Sequence, residues 1–193
     1  SFFKKKTAYE IGVRLVGSEV CIRDRHGPKV EKIWARKMNS RERKIARNSA
    51  LSATTDIETV ANRGHRFSDD ITSLPLILGN YVEVRDGKSE EFDIEQFNHG
   101  SATRKVVSIF NEIGLGDDLR RARDGRNIRA GKGKMRGRVH KTPKSILLVV
   151  KEKSGLAHAV RNLPGVDVVA ACNLSAEDLA PGGDIGRLTV FTK

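Results

Sequence analysis

The chain is expected to fold as an α/β domain, with helices layered on a mostly parallel central sheet and one long basic glycine-rich loop. Three observations predict it. Apolar runs at 145–151 (SILLVVK) and 166–171 (VDVVAA) have the near-continuous hydrophobicity of strands covered on both faces. Capped helical segments separate these strands from each other and from a last strand at 187–192 (RLTVFT). Strand–helix–strand–helix–strand with short loops calls for crossovers that return parallel strands to one sheet. Finally, residues 120–144 hold eleven Lys or Arg against one acid, Asp124, and show no apolar period. They belong outside the core, as a loop on a three-layer, Rossmann-like body.

Residues 1–25 share no pattern with the remainder of the chain. Their pieces KTAYEIGVRLVGSE and CIRDR resemble translated sequencing-adapter read-through, so the segment is expected to be non-native. A genuine strand at 11–16 is the alternative. The domain proper is then 26–193, a length that suits a single core. Residues 26–38 (HGPKVEKIWARKM) read as basic and extended, because Pro28 blocks a helix. Asn39 and Glu42 form a plausible capping pair for a helix to about Thr54, with Ile45, Ala46, Ser49, Ala50 and Ala53 on its apolar face. Asp56 caps a second helix over 57–63, which Gly64 ends.

The run LPLIL at 74–78, bounded by Gly79 and Asn80, predicts a buried strand. Over 81–100 the pattern is weak. A strand at 81–85 before the Asp86-Gly87 turn is expected, then an acidic surface segment with Glu90, Glu91, Asp93 and Glu95. Ser101 caps a helix in which Val106, Val107, Phe110 and Ile113 recur at helical spacing, and Gly114 stops it. A further helix over 116–123 delivers the chain into the basic run. After the 145–151 strand, Ser154 caps a helix to about Asn162, with Leu156, Ala159 and Val160 inward. Pro164-Gly165 turns the chain into the next strand. Ser175 and Asp178 make a capping box for a short helix that Pro181-Gly182-Gly183 closes.

The whole chain carries a formal charge of +12, and residues 120–144 alone supply +10. Such a segment cannot bury enough surface to order itself, and its cations repel one another until a partner neutralises them. Guanidinium forks match phosphate oxygens and lysines add mobile charge, so nucleic acid is the expected partner. The bland alternative is a solvated loop. The run contains no aromatic residue, which favours backbone and shape contacts over base stacking on aromatic platforms. Gly131-Lys132 is followed by Gly133 where a phosphate-binding loop wants Ser or Thr, and the glycine spacing misses the dinucleotide fingerprint. A nucleotide-dependent α/β enzyme is therefore the weaker alternative, and a basic adaptor docking an acidic protein comes third. His65, His99, His140 and His158 are scattered, which predicts no metal site; His158 is expected to be part-buried on its helix and His140 to reach phosphate. No cofactor, catalytic group or membrane span is expected. Cys21 and Cys172 have no ligand spacing, which suits a reducing intracellular setting; Cys172 is expected to be a small buried residue.

Several segments then resemble one family. RAGKGKMRGR (129–138), PKSILLVV (143–150), RNLPGVDVV (161–169) and LSAEDLAPGGDIGRLTVFT (174–192) are similar to large ribosomal subunit protein four of the archaeal type. HGPKVEK (26–32) and RERKIARNSALSATTDIETVANRGHRF (41–67) fit the same pattern. Asp184 and Ile185 stand where the family usually shows His and Pro, and the stretch 81–99 looks longer than usual. The resemblance implies a non-enzymatic constituent of the cytoplasmic large ribosomal subunit that binds its rRNA, supports assembly and contributes to the exit-tunnel wall beside neighbouring ribosomal proteins. It implies rRNA contacts at Arg129, Lys132, Lys134, Arg136, Arg138, Lys141 and Lys144. Lys29 and Lys32 match the base of a tunnel extension that, with a first strand, is missing here; that absence is expected to leave an unpaired sheet edge. Arg126 and His140 join the contacts on the charge argument alone.

Overall fold

A strand of four apolar residues, Leu147–Val150, sits at the centre with every side chain buried. A computed structural model of the chain describes residues 31–33, 35–79, 81–85, 88–92, 102–153 and 155–193, with backbone alone over 81–92. In chain order its elements are α1 (Ser40–Ala53), α2 (Ile57–Asn62), β1 (Leu76–Leu78), β2 (Tyr81–Arg85), β3 (Lys88–Phe92), α3 (Ala102–Glu112) and α4 (Gly116–Asp124). Then come β4 (Asn127–Ile128), β5 (His140–Lys141), β6 (Leu147–Val150), α5 (Gly155–Val160), β7 (Asp167–Ala170), α6 (Ala176–Leu179) and β8 (Thr189–Thr192). The main sheet has the order β1-β8-β6-β7 and every pairing in it is parallel.

Alternation along β6 divides the core. Leu148 and Val150 join Val190 against Val106 and Phe110 of α3, Leu119 of α4, and Leu156 and Val160 of α5. Leu147 and Val149 turn to the other face, where Ala50 of α1 and Leu179 of α6 meet them. Helices thus lie on both faces of a parallel sheet, the arrangement that short crossovers between apolar strands dictate. β7 is an edge strand, and three of its four residues are only part-buried, so it differs from the doubly covered strand expected at 166–171. β1 is the other edge; Ile77 on it is 71% exposed.

Local signals account for the start of α2 and of α6. Asp56 accepts from the Glu58 amide at the start of α2, and Gly64 leaves it with φ +92°. The Ser175–Asp178 capping box forms in full, with Ser175 N donating to Asp178 Oδ2 at 3.0 Å and Asp178 N to Ser175 Oγ at 3.3 Å. The Asn39 pair does not cap: the amide of Asn39 turns to the Glu42 carboxylate at 3.5 Å, leaving the helix amides without a side-chain acceptor from it. The C-terminal part of α1 packs on the body through Ala50 and Leu51, while Ile45, Ala46 and Ser49 are exposed. Residues 81–85 and 88–92 pair as two antiparallel strands, so the stretch expected to be an acidic surface segment begins with a strand at 88–92. The side chains of Glu90 and Glu91, the residues Asp93 and Glu95, and the caps at Ser101 and Ser154 lie outside what is described.

The chain divides into units 1–38 and 39–193. Residues 31–33 and 35–38 of the first are exposed and in neither helix nor strand; residues 1–25 and Pro28 lie outside the described residues. Among the described residues no helix is long and apolar enough to cross a membrane. Leu148→Ala is expected to destabilise the body by about 3 kcal/mol in urea unfolding, since a Leu with no exposed surface leaves a cavity. Ile77→Ala on the edge strand should stay within about 0.5 kcal/mol of the parent.

Candidate nucleic-acid interface

The basic run is built from three parts. Residues 120–124 are the last turn of α4, ended at Gly125, whose amide donates to the Arg121 carbonyl at 2.9 Å. A short antiparallel stem comes next, pairing Asn127 with Lys141 and Ile128 with His140, and extended by Arg129 N donating to Val139 O at 2.9 Å. The head is a 3-10 turn at Lys132–Arg136, in which Gly133 O accepts from Arg138 N at 3.1 Å. Gly137 closes it with φ +79°, a left-handed conformation in which a β-carbon would be strained. The expectation of a run unable to order itself is corrected here. Backbone hydrogen bonding and a stem define its path, and no buried side chain takes part between Arg126 and Lys141.

Charge separates the cations into two groups. Arg126, Arg129, Lys132, Lys134, Arg136, Arg138 and Lys141 are exposed, as is His140, and those seven have no acidic partner among the described residues. The others are engaged with acids. Arg120 pairs with Asp117 at 3.1 Å and Arg123 with Asp124 at 3.2 Å, both on the surface. Arg121 and Lys144 instead hold the base of the loop. Lys32 is exposed, and Lys29 lies outside the described residues.

That base rests on Asp118, which has no exposed surface. Its carboxylate accepts from Ser145 Oγ at 2.6 Å, Arg121 Nε at 2.8 Å, the Arg66 amide at 3.1 Å and His65 Nδ1 at 3.1 Å. A carboxylate can only accept, so Nδ1 carries the proton, and the 3.4 Å approach of Arg121 to that nitrogen is not a hydrogen bond. His65 Nε2 is buried without a partner among the described residues. Burial alone would raise the Asp118 pKa; hydrogen bonds from His65, Arg121 and Ser145 outweigh it and hold the group at about 2. Arg121 also donates to the Lys144 carbonyl at 2.8 Å.

A second acid completes the anchor. Asp167, the first residue of β7, accepts from Lys144 Nζ at 2.7 Å and from Arg187 at 2.5 Å. Burial opposes ionisation there, and those two cations overcome it, so its pKa is lowered. Arg187 is 1% exposed and also donates to the Ser145 carbonyl at 3.1 Å and the Asp178 carbonyl at 2.9 Å. Ser145 N donates to Gly165 O at 2.8 Å. Gly165, at φ +74°, has no room for a β-carbon, which would lie 2.3 Å from the Pro143 carbonyl. Every polar group of Ser145 is therefore used.

Sequence reasoning missed this anchor. Asp118 lies in a helix to which the sequence assigns no role, and His65 is one of four scattered histidines. The signal available was that His65, Lys144, Ser145, Asp167 and Arg187 all fall inside segments that carry the family resemblance. Two smaller expectations are corrected as well. Cys172 is exposed, because the chain leaves β7 into a short 3-10 turn at Ala171–Asn173, and His158 is exposed on the outer side of α5. Asp184 and Ile185 meet Arg63 through their carbonyls, so their departure from the family pattern leaves those bonds available.

The anchor also places the loop in the fold. Ser145, Asp167 and Arg187 lie at the amino ends of β6, β7 and β8, and parallel strands put these ends at one edge. Ligand sites of open α/β sheets lie outside the carboxyl ends, at the first turn of a helix. The basic run joins a helix to a strand at the opposite edge, so its glycines and lysines do not form a phosphate loop. Among the described residues no three His, Cys, Asp or Glu converge to hold a metal ion.

Removing the buried acid should be costly. Asp118→Ala leaves Arg121 and His65 facing an apolar gap and is expected to lower stability by about 3–5 kcal/mol. The pH dependence has a definite sign. A carboxyl depressed from 3.8 to about 2 contributes its full stabilisation above pH 3.8 and loses it as pH falls towards 2. The parent should therefore lose about 2 kcal/mol over that range from this group. Asp118→Asn should show a correspondingly flatter acid limb in urea titrations at stepped pH.

Comparison with known proteins fits this geometry. The profile of the Ribosomal protein L4/L1 family matches residues 23–193. Proteins named large ribosomal subunit protein uL4 are similar over most of the chain. That of Halorubrum lacusprofundi is 43% identical over 180 residues, 93% of this chain and 65% of its own length. That of Thermoplasma acidophilum is 41% identical over 184 residues, covering 94% and 66%. In Methanocaldococcus jannaschii the match is 45% over 168 residues, covering 87% and 60%. The chain thus spans less than two thirds of the length of these relatives. A parallel α/β body carrying an exposed cationic loop, matched by the family profile over nearly all of its residues, belongs to the Ribosomal protein L4/L1 family.

Proposed function

We propose that the chain is a structural, non-catalytic constituent of the cytoplasmic large ribosomal subunit, binding large-subunit rRNA through its basic loop. One observation carries this: seven exposed Lys and Arg side chains on a backbone-defined loop, with no acidic partner among the described residues. A polyanion is what such an array lacks. Arg126, Arg129, Lys132, Lys134, Arg136, Arg138 and Lys141, with His140, are the proposed phosphate contacts. Lys144 has a prior engagement with Asp167 and acts first as the anchor of the loop; its exposed flank can still face RNA. Lys29 and Lys32 are assigned to the base of an extension towards the exit tunnel, with residues 1–25 standing as a non-native segment before it. The body is proposed to be of the three-layer Rossmann-like kind, sitting among neighbouring ribosomal proteins and assisting assembly. The names of its relatives support this placement.

The mechanism is counterion release. Each phosphate neutralised frees condensed cations, so the logarithm of affinity falls linearly with the logarithm of salt. Seven contacts give a slope of about −5 to −6. Filter binding of the 193-residue chain to protein-free large-subunit rRNA should show that slope, and Lys134→Ala should make it shallower by about one. Binding insensitive to salt, or retention of rRNA no tighter than that of polyglutamate, would end this reading.

A further inference from the structure

The head of the loop presents an apolar side chain in the midst of its charge. Met135 lies within the 3-10 turn at Lys132–Arg136 and is 81% exposed. Lys134 and Arg136 flank it directly, and Lys132 and Arg138 come next on either side. Its backbone is defined from both directions, by Lys134 N donating to Gly131 O at 3.4 Å and Arg138 N to Gly133 O at 3.1 Å. Gly137 at φ +79° then turns the chain back to the stem. The side chain therefore stands out from a shaped turn.

Its surroundings decide what can cover it. An apolar protein surface receiving Met135 would bury four flanking cations without partners, which is strongly unfavourable. RNA neutralises them. Phosphate contacts follow the shape of an RNA but do not read its bases, because every strand offers the same oxygens. Irregular RNA differs from duplex in having unstacked bases, whose faces accept apolar or polarisable groups. The thioether of methionine packs well against aromatic faces, and its unbranched chain adapts to an uneven crevice. Arginine planes also stack on bases, but their charge draws them equally to any phosphate. Methionine gains nothing from phosphate, so it contributes only where a base is splayed out.

We propose that Met135 is a specificity determinant, packing against an unstacked base of the rRNA while its cationic neighbours hold the surrounding phosphates. This rests on the rRNA-binding role argued above and assigns the selectivity within that same loop.

The test uses the 193-residue chain with two probes: protein-free archaeal large-subunit rRNA, and a continuous RNA duplex with every base stacked. Met135→Ala should weaken rRNA binding about tenfold, the loss expected for uncovering most of one apolar side chain. Duplex affinity and the salt slope should not change. Met135→Leu should recover most of the loss. Lys134→Ala should instead weaken both probes and flatten the slope. All three substitutions fall at an exposed loop head, and unchanged melting curves would confirm intact folds. An Ala variant that binds rRNA as the parent does, or that loses equally on both probes, would overturn the assignment of Met135. A parent chain that does not prefer rRNA over duplex would overturn the rRNA reading itself, a separate and recognisable failure.

Discussion

A carboxylate with no exposed surface needs a donor for its oxygens or it will not stay ionised inside a fold. Asp118 finds four, and they come from three segments distant in sequence: His65 and Arg66 after α2, Arg121 one turn along α4, and Ser145 before β6. Breaking any one strands a buried polar group, which costs more than the hydrogen bond itself contributed. The result is an over-determined junction at the point where the basic loop re-enters the body. Asp167 repeats the principle at the start of β7, using Lys144 from the loop and the buried Arg187 just ahead of β8. Between them, the two acids tie the loop's C-terminal end to α4, β7 and β8.

That junction explains how a segment so unsuited to folding can have a defined path. Like charges separated by water repel weakly at physiological salt, with a screening length near about 8 Å. A few backbone hydrogen bonds in the stem and head are sufficient to shape the run once its ends are fixed. Fixing them shortens the free loop to the stretch between Gly125 and Lys144 and lowers the entropy left to lose on binding. A loop already shaped holds its cations spread over a surface of definite form. Order at the base and exposure at the tip are two sides of one arrangement.

How much of this the chain discloses before folding depends on range. Elements set by local chemistry are legible: the apolar run of β6, the Ser175–Asp178 box, the Asp56 cap and the left-handed glycines at 64 and 114 all act within a few residues. Where a local signal has competition, it misleads. Asn39 has the right spacing to cap, but its amide prefers the nearby Glu42 carboxylate, and no packing at that end of α1 enforces the cap. Cys172 comes after an apolar strand, yet β7 is an edge and the turn beyond it opens to solvent. The concentration of charge in 120–144 is visible in the sequence. Its division into exposed cations and anchoring residues is not, because Lys144 and Lys141 look alike until Asp167 is brought beside one of them. The Asp118 junction is the extreme case: apart from the one from Arg121, its contacts span 27 to 53 residues, and no period or motif encodes them.

The same junction bears on what this body can do. In a parallel sheet the carboxyl ends of the strands, with helix amino termini behind them, make the natural seat for a small anionic ligand. The loop is fixed at the other edge, where strands begin and where side chains ahead of them, Ser145 and Arg187, are consumed in holding it. Donors committed to these structural hydrogen bonds are not free to orient a substrate. The projecting loop carries exposed cations that have no acidic partner among the described residues. The architecture therefore makes the α/β body a mount for a largely exposed ribbon between Arg126 and Lys141, the segment to which recognition of RNA is proposed to fall.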